Sequence, residues 1–227
     1  MSAPGIGAVR ITRLLQPSGG TMLDRIRARL AGRAAAKVSI DTTGLVELRV
    51  HRNILQGFGR ALEAREPELG VLDHAARVSH VANRIARALS LSEGEQYLLD
   101  SAAQLHELGM LTLPPELAGK AGPLSPAELE EVRTQAGVSA QIASGGYHPR
   151  IPRLIADQYR DHDELADTVA AGDLLLSGVF RVADVFASVT WPRPYKQPLS
   201  AEERTRLLED GAGTRFHPAA VEAALAL

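Results

Sequence analysis

Apolar residues recur three and four positions apart along most of the chain after residue 45, and the elements they predict are helices. Leu48, Leu55, Phe58 and Leu62 mark one such row, which Pro67 closes after Ala64-Arg65-Glu66. Ala76, Val78, Val81, Ile85 and Leu89 supply the buried face of a second helix, over residues 72–89. A third starts after Ser92, where Ser-Glu-Gly-Glu has the form of a capping box, and ends at the pair His106-Glu107. Ser125, with Pro126 in the first turn and acids behind it, opens a helix expected to run to Ser144, where Gly145-Gly146 stops it. A segment from Ile151 to Tyr159 follows, then a polar turn from Arg160 to Asp167 and an apolar helix from Leu174 to Val189. Pro192, Pro194 and Pro198 break the chain into a loop, Ser200 caps the next helix, and a last short helix follows Pro218.

The first 43 residues have a different pattern. Pro4, Gly5, Gly7, Pro17, Gly19 and Gly20 predict an irregular start, and Met22 is an alternative first residue. Thr21 caps a short helix from Met22 to Ala35, with Met22, Leu23, Ile26 and Leu30 on one side and Arg25, Arg27, Arg29 and Arg33 around the rest. Such a basic amphipathic helix suits packing on its own domain with a solvated arginine face; a membrane surface or a partner is the alternative. Val38 to Asp41 alternates weakly, as a short strand does. The expected organisation is an N-terminal extension over residues 1–43 and an all-α domain of six or more helices over residues 44–227.

Composition narrows the chemistry. The 227 residues are 45% hydrophobic, enough for a packed core, and only 4% aromatic, which favours a helical fold built on aliphatic contacts. A net charge of -2, without a long basic run, argues against binding a nucleic-acid polymer. The absence of cysteine excludes disulfides, thiolate metal sites and cysteine nucleophiles. No apolar run is long enough to cross a membrane, and residues 1–20 lack the apolar centre of a signal peptide, so a cytoplasmic location is expected.

The chemistry concentrates in LHELGMLTLP, from Leu105 to Pro114. An imidazole and a carboxylate side by side at the end of an apolar helix can present nitrogen and oxygen to one metal ion. A lone His-Glu pair is common and usually means nothing, so its neighbours decide. Asp184 lies inside the apolar run Val182-Ala183-Asp184-Val185-Phe186, where a charge costs several kcal/mol unless it is paired or bound to metal. His74, near the start of the second helix, and His162, between Asp161 and Asp163, are further candidates, each an ordinary histidine if taken singly.

Several stretches resemble the HD-GYP domain family, the branch of the HD superfamily whose active members hydrolyse cyclic di-GMP. The similarity runs from Leu55 to the C-terminus. Ala61 to Pro67 is similar to the family's opening segment, and His74 with Arg77-Val78 to its His-x-x-Arg-Val. LHELGMLTLP stands where the family has Leu-His-Asp-Ile-Gly-Lys-Ile-x-Ile-Pro. Lys120, Gly122, Leu124, Ser125 and Glu128 follow its next loop, and Val182 to Lys196 and Gly213 to Pro218 resemble its two closing motifs. The resemblance implies the helical HD bundle, a metal site and a phosphodiester substrate.

The same resemblance exposes departures. Glu107 replaces the family aspartate that bridges two ions, Met110 replaces a lysine placed to steady the phosphate, and Gln135 replaces a histidine ligand. The family's paired histidines fall on Asp161 and His162 when counted forward from Gln135, the preferred register, or on Gln158 and Tyr159 when read back from Asp163. The Gly-Tyr-Pro signature is missing, and Gly146-Tyr147-His148-Pro149 lies too early to be its counterpart. The surviving metal set is His74, His106, Glu107, His162 and Asp184, with His106, Glu107 and Asp184 as the catalytic candidates. It implies one divalent ion (Mn, Fe, Ni or Zn) or none. The expected protein is a degenerate member with lost or very weak phosphodiesterase activity and a regulatory or interaction role; the alternative is a one-metal phosphohydrolase. Cyclic di-GMP is the expected nucleotide, with Arg193 and Lys196 as candidate phosphate contacts. The loop from Trp191 to Lys196 suits a signalling-protein partner, and a homodimer is a further option.

Overall fold

The computed structural model describes Gly57, Arg60 and residues 70–120, 122–192 and 197–227. Within them the predicted rows become helices with nearly the expected ends. Helix α1 (Val71–Ala88) turns Ala75, Val78, Val81, Ala82, Ile85 and Ala86 inward, the spacing of one helical face. Helix α2 (Glu93–Leu105) begins at Ser92, whose hydroxyl accepts from Glu95 N–H while Glu95 reaches back to Ser92 N–H, a reciprocal capping box. After it come a 3₁₀ turn (Leu108–Thr112) and a one-turn helix α3 (Pro115–Ala118).

The segment expected as one helix from Ser125 to Ser144 is two. Helix α4 (Pro126–Arg133) buries no residue, whereas α5 (Gln135–Ser144) buries Gln135, Ala136, Ser139 and Ala143. The break at Thr134 lets the second half turn inward against the 3₁₀ turn. There Gly109 allows a backbone approach that any side chain would block, because a β-carbon would lie 2.1 Å from the carbonyl oxygen of Gln135.

Helix α6 (Arg150–Ala156) and the short α7 (His162–Ala166) follow; the latter replaces the polar turn expected there. Helix α8 (Ala171–Thr190) is apolar around most of its circumference and accordingly lies at the centre, packed on α1, α2 and α6. Helices α9 (Ala201–Asp210) and α10 (Pro218–Leu225) close the bundle. One large core joins α1, α2, α8 and α10 through Ile85, Leu98, Leu99, Phe180 and Val221, with Phe216 just before α10. The architecture is all-α: among the described residues there is no strand, only an isolated bridge between Ala212 and Phe216. The expected extension over residues 1–43, its helix and strand, and the row from Leu48 to Leu62 lie outside the described residues, apart from helical Gly57 and Arg60. Among those residues no helix is long and apolar enough to cross a membrane.

Candidate metal centre

Three helix segments converge on one point inside the bundle. His74 comes from the first turn of α1, His106 caps the C-terminus of α2, and Asp184 lies near the middle of α8. All three are buried. One ligand atom from each lies within 4.8 Å of the other two, the separation at which they can share an ion. His74 Nε2 is 3.0 Å from Asp184 Oδ1 and 3.7 Å from Glu107 Oε1, so the carboxylate after His106 also turns toward the cluster. His106 Nε2 is 3.8 Å from Asp184 Oδ1.

The imidazole of His106 is held in one tautomer. Its Nδ1–H donates to the carbonyl of Ala103 at 2.9 Å, which leaves a lone pair on Nε2. That Nε2 is buried and has no hydrogen-bond partner within the protein. Burial pushes the His106 pKa down against the attraction of Glu107 and Asp184, favouring the neutral, metal-binding form. Burial acts on Asp184 in the opposite sense, yet the hydrogen bond with His74 and the positive charge of Arg181 work against it. Its carboxyl stays far below the usual range. An orphaned imidazole nitrogen facing a second imidazole and an ionised carboxylate is a donor set that could hold a divalent metal ion.

Neutral polar groups link to one another around Tyr159, which shares a cavity with Asp184. Gln135 Nε2 donates to Tyr159 Oη at 2.9 Å, and Gln135 Oε1 accepts from Ser139 Oγ at 3.0 Å. Ser139 Oγ in turn accepts from Gly109 N–H at 2.7 Å. Gln158 Nε2 donates to the carbonyls of His106 at 3.3 Å and Ile155 at 3.0 Å. Burial, with the nearby charge of Asp184, pushes the Tyr159 phenol up, so it stays protonated. Of the two registers read from the sequence, Gln158 and Tyr159 are the residues that approach the cluster, Gln158 through the carbonyl of His106 and Tyr159 through a cavity shared with Asp184.

His162 stands elsewhere. It lies at the start of α7 with its ring 4.9 Å from that of His217, outside the three-residue cluster. His217 Nδ1 accepts from Ala219 N–H and so caps α10, and Gly178 of α8 makes room for its ring. Burial and the neighbouring His162 hold His217 down to about 4. The unfolded chain therefore takes up a proton near pH 6.5 that the folded chain refuses until about pH 4, so this contribution is present at neutral pH and lost on acidification. We expect urea titrations at pH 7 and pH 4.5 to differ by about 2 kcal/mol more in the parent than in His217→Asn, which keeps a capping acceptor without the titration. Met110 lies in the 3₁₀ turn and lines the cavity above Asp184. Arg193 and Lys196 lie outside the described residues.

Comparison with known proteins agrees with this arrangement. An HD domain family model matches residues 60–220. The chain is 29% identical over 180 residues to the cyclic di-GMP phosphodiesterase response regulator RpfG of Xanthomonas campestris pv. campestris, covering 77% of this chain and 47% of that protein. It is 32% identical over 161 residues to a cyclic di-GMP phosphodiesterase of Thermotoga maritima, covering 68% and 44%. It is also 25% identical over 177 residues to the 3'3'-cGAMP-specific phosphodiesterase 3 of Vibrio cholerae, covering 73% and 36%. The chain thus spans less than half the length of each of these relatives.

Proposed function

Because the chain belongs to the HD domain family, we propose that it is a degenerate cyclic-dinucleotide phosphodiesterase module. In this reading it holds one divalent ion, turns over cyclic di-GMP very weakly or not at all, and acts by binding. The observation that carries it is the hydrogen bond between Gln135 and Tyr159 beside the cluster. In this reading an amide and a protonated phenol, which satisfy each other, stand where a second ion would need imidazole or carboxylate. His74, His106 and Asp184, with Glu107 beside them, would hold the one ion. When bound, such an ion polarises a phosphoryl oxygen and acidifies water. Two-ion phosphoester hydrolysis also clamps the second in-line oxygen, and with Met110 in place of the family lysine that charge has no substitute from the same turn.

The intact three-residue cluster favours a second reading, a slow one-metal phosphohydrolase acting on cyclic di-GMP or a related phosphoester. Purified protein incubated with Mn or Fe and cyclic di-GMP separates the two. The first reading expects one ion per chain and linearisation at least about a thousandfold slower than that of a two-metal relative, a loss of roughly 4 kcal/mol in transition-state stabilisation. Linearisation with one ion per chain that falls less than about a thousandfold below a two-metal relative's and disappears in Asp184→Asn would establish the second.

A further inference from the structure

We infer that Arg181 and Arg215 form an anion-binding wall in the cavity above Asp184, and that they take the phosphate of a phosphoester ligand. The inference rests on the reading above and supplies what recognises the ligand. The cavity, of about 440 Å³, contains Asp184 and Tyr159 and is walled by apolar Met110, Leu117, Leu124 and Val185. That volume is within the range of small-molecule sites, roughly 300–1,000 Å³.

Four cationic side chains line it, and they are not equivalent. Lys120 is tied to Glu128 at 2.7 Å, and Arg133 to Glu130 at 2.5 Å. Arg181, three residues before Asp184 on the same helix, has only 14% of its side chain exposed, yet its ion-pair partner Asp161 is 4.0 Å away. Its Nε is buried with no hydrogen-bond partner within the protein. Arg215 lies over the ring of Phe216, and its charge opposes that of Arg181. Arg181 is attracted by the Asp184 carboxylate, yet it is largely desolvated with its Nε donor unused, and an anion in the cavity would complete its hydrogen bonding with Arg215 on the same wall. The planar donor fork of arginine matches a phosphate in two-point geometry. Met110 leaves the 3₁₀ turn without a cation, and Arg181 brings one to the same cavity from α8.

The test is calorimetric titration of manganese-loaded protein at fixed salt with cyclic di-GMP, its linear dinucleotide, GMP and guanosine. At least one phosphate-bearing probe should bind well above guanosine. Arg181→Met should weaken that probe about 10- to 100-fold and leave guanosine unchanged, while Arg181→Lys recovers part of the loss. Should Arg181→Met fail to fold, Arg215→Met, an exposed position, carries the same comparison. Equal affinity in parent and variants, or no binding of any phosphate-bearing probe at millimolar concentration, overturns the inference. Metal content measured on the same samples judges the other reading separately: two ions per chain would end the one-ion proposal even with an arginine-dependent affinity.

Discussion

Replacing His106 by alanine should leave the bundle without its ion. The parent is expected to carry close to one Mn, Fe, Ni or Zn per chain after dialysis, by elemental analysis, and His106→Ala next to none. The size of the effect follows from how the ligand is held. Ala103 fixes the ring through Nδ1, so the imidazole is already oriented and binding costs little ordering. With His106 gone, His74 and Asp184 need no ion, because they already hydrogen-bond to each other at 3.0 Å. Altering a mere supporting partner of a metal ligand costs roughly 10- to 100-fold in affinity, so losing the ligand itself should cost at least about a hundredfold. Stability gives an independent readout. An ion at a hundred times its Kd should stabilise the parent by about 2.7 kcal/mol and His106→Ala hardly at all. A variant that keeps its ion, or an equal metal-dependent shift in both proteins, would place the metal elsewhere.

The parts of this arrangement visible in the sequence are those set by short-range rules. Ser92, Ser125 and Ser200 each announce a helix because a capping box spans four residues and needs nothing from the rest of the fold. The long apolar faces of α1 and α8 are equally local. Asp184 stood out because a carboxylate in so apolar a run needs a partner, and the fold supplies His74 from 110 positions away. The break at Thr134 was not visible, since the sequence there continues a helical pattern and only packing against Gly109 turns α5 inward. Gln158 and Tyr159 were set aside for a related reason: which residues of a short loop face the cluster depends on where α6 ends. Arg181 gave no signal at all. A lone arginine on an apolar helix looks like a surface residue until its side chain is seen against the cavity.

On the proposed one-ion reading, placing imidazole, carboxylate and ammonium groups at five positions should produce two-ion chemistry. The variant combining Glu107→Asp, Met110→Lys, Gln135→His, Gln158→His and Tyr159→His is expected to bind two ions per chain. Its linearisation of cyclic di-GMP, followed by chromatography, should exceed the parent's at least about a thousandfold, equivalent to roughly 4 kcal/mol. The positions suit the exchange because they already meet: Gln135 touches Tyr159 at 2.9 Å, and Gln158 touches the carbonyl of His106, a candidate ligand, at 3.3 Å. Imidazoles there would replace neutral hydrogen-bonding groups by lone pairs facing the cluster. The changes should act together rather than add. Gln135→His alone removes the acceptor of Ser139 and the donor to Tyr159 without completing a second site, so it should lower stability and leave turnover unchanged. A second ion without faster turnover would show that the missing donors are not what keeps the parent slow. A parent that already matches the combined variant would show that nothing was lost.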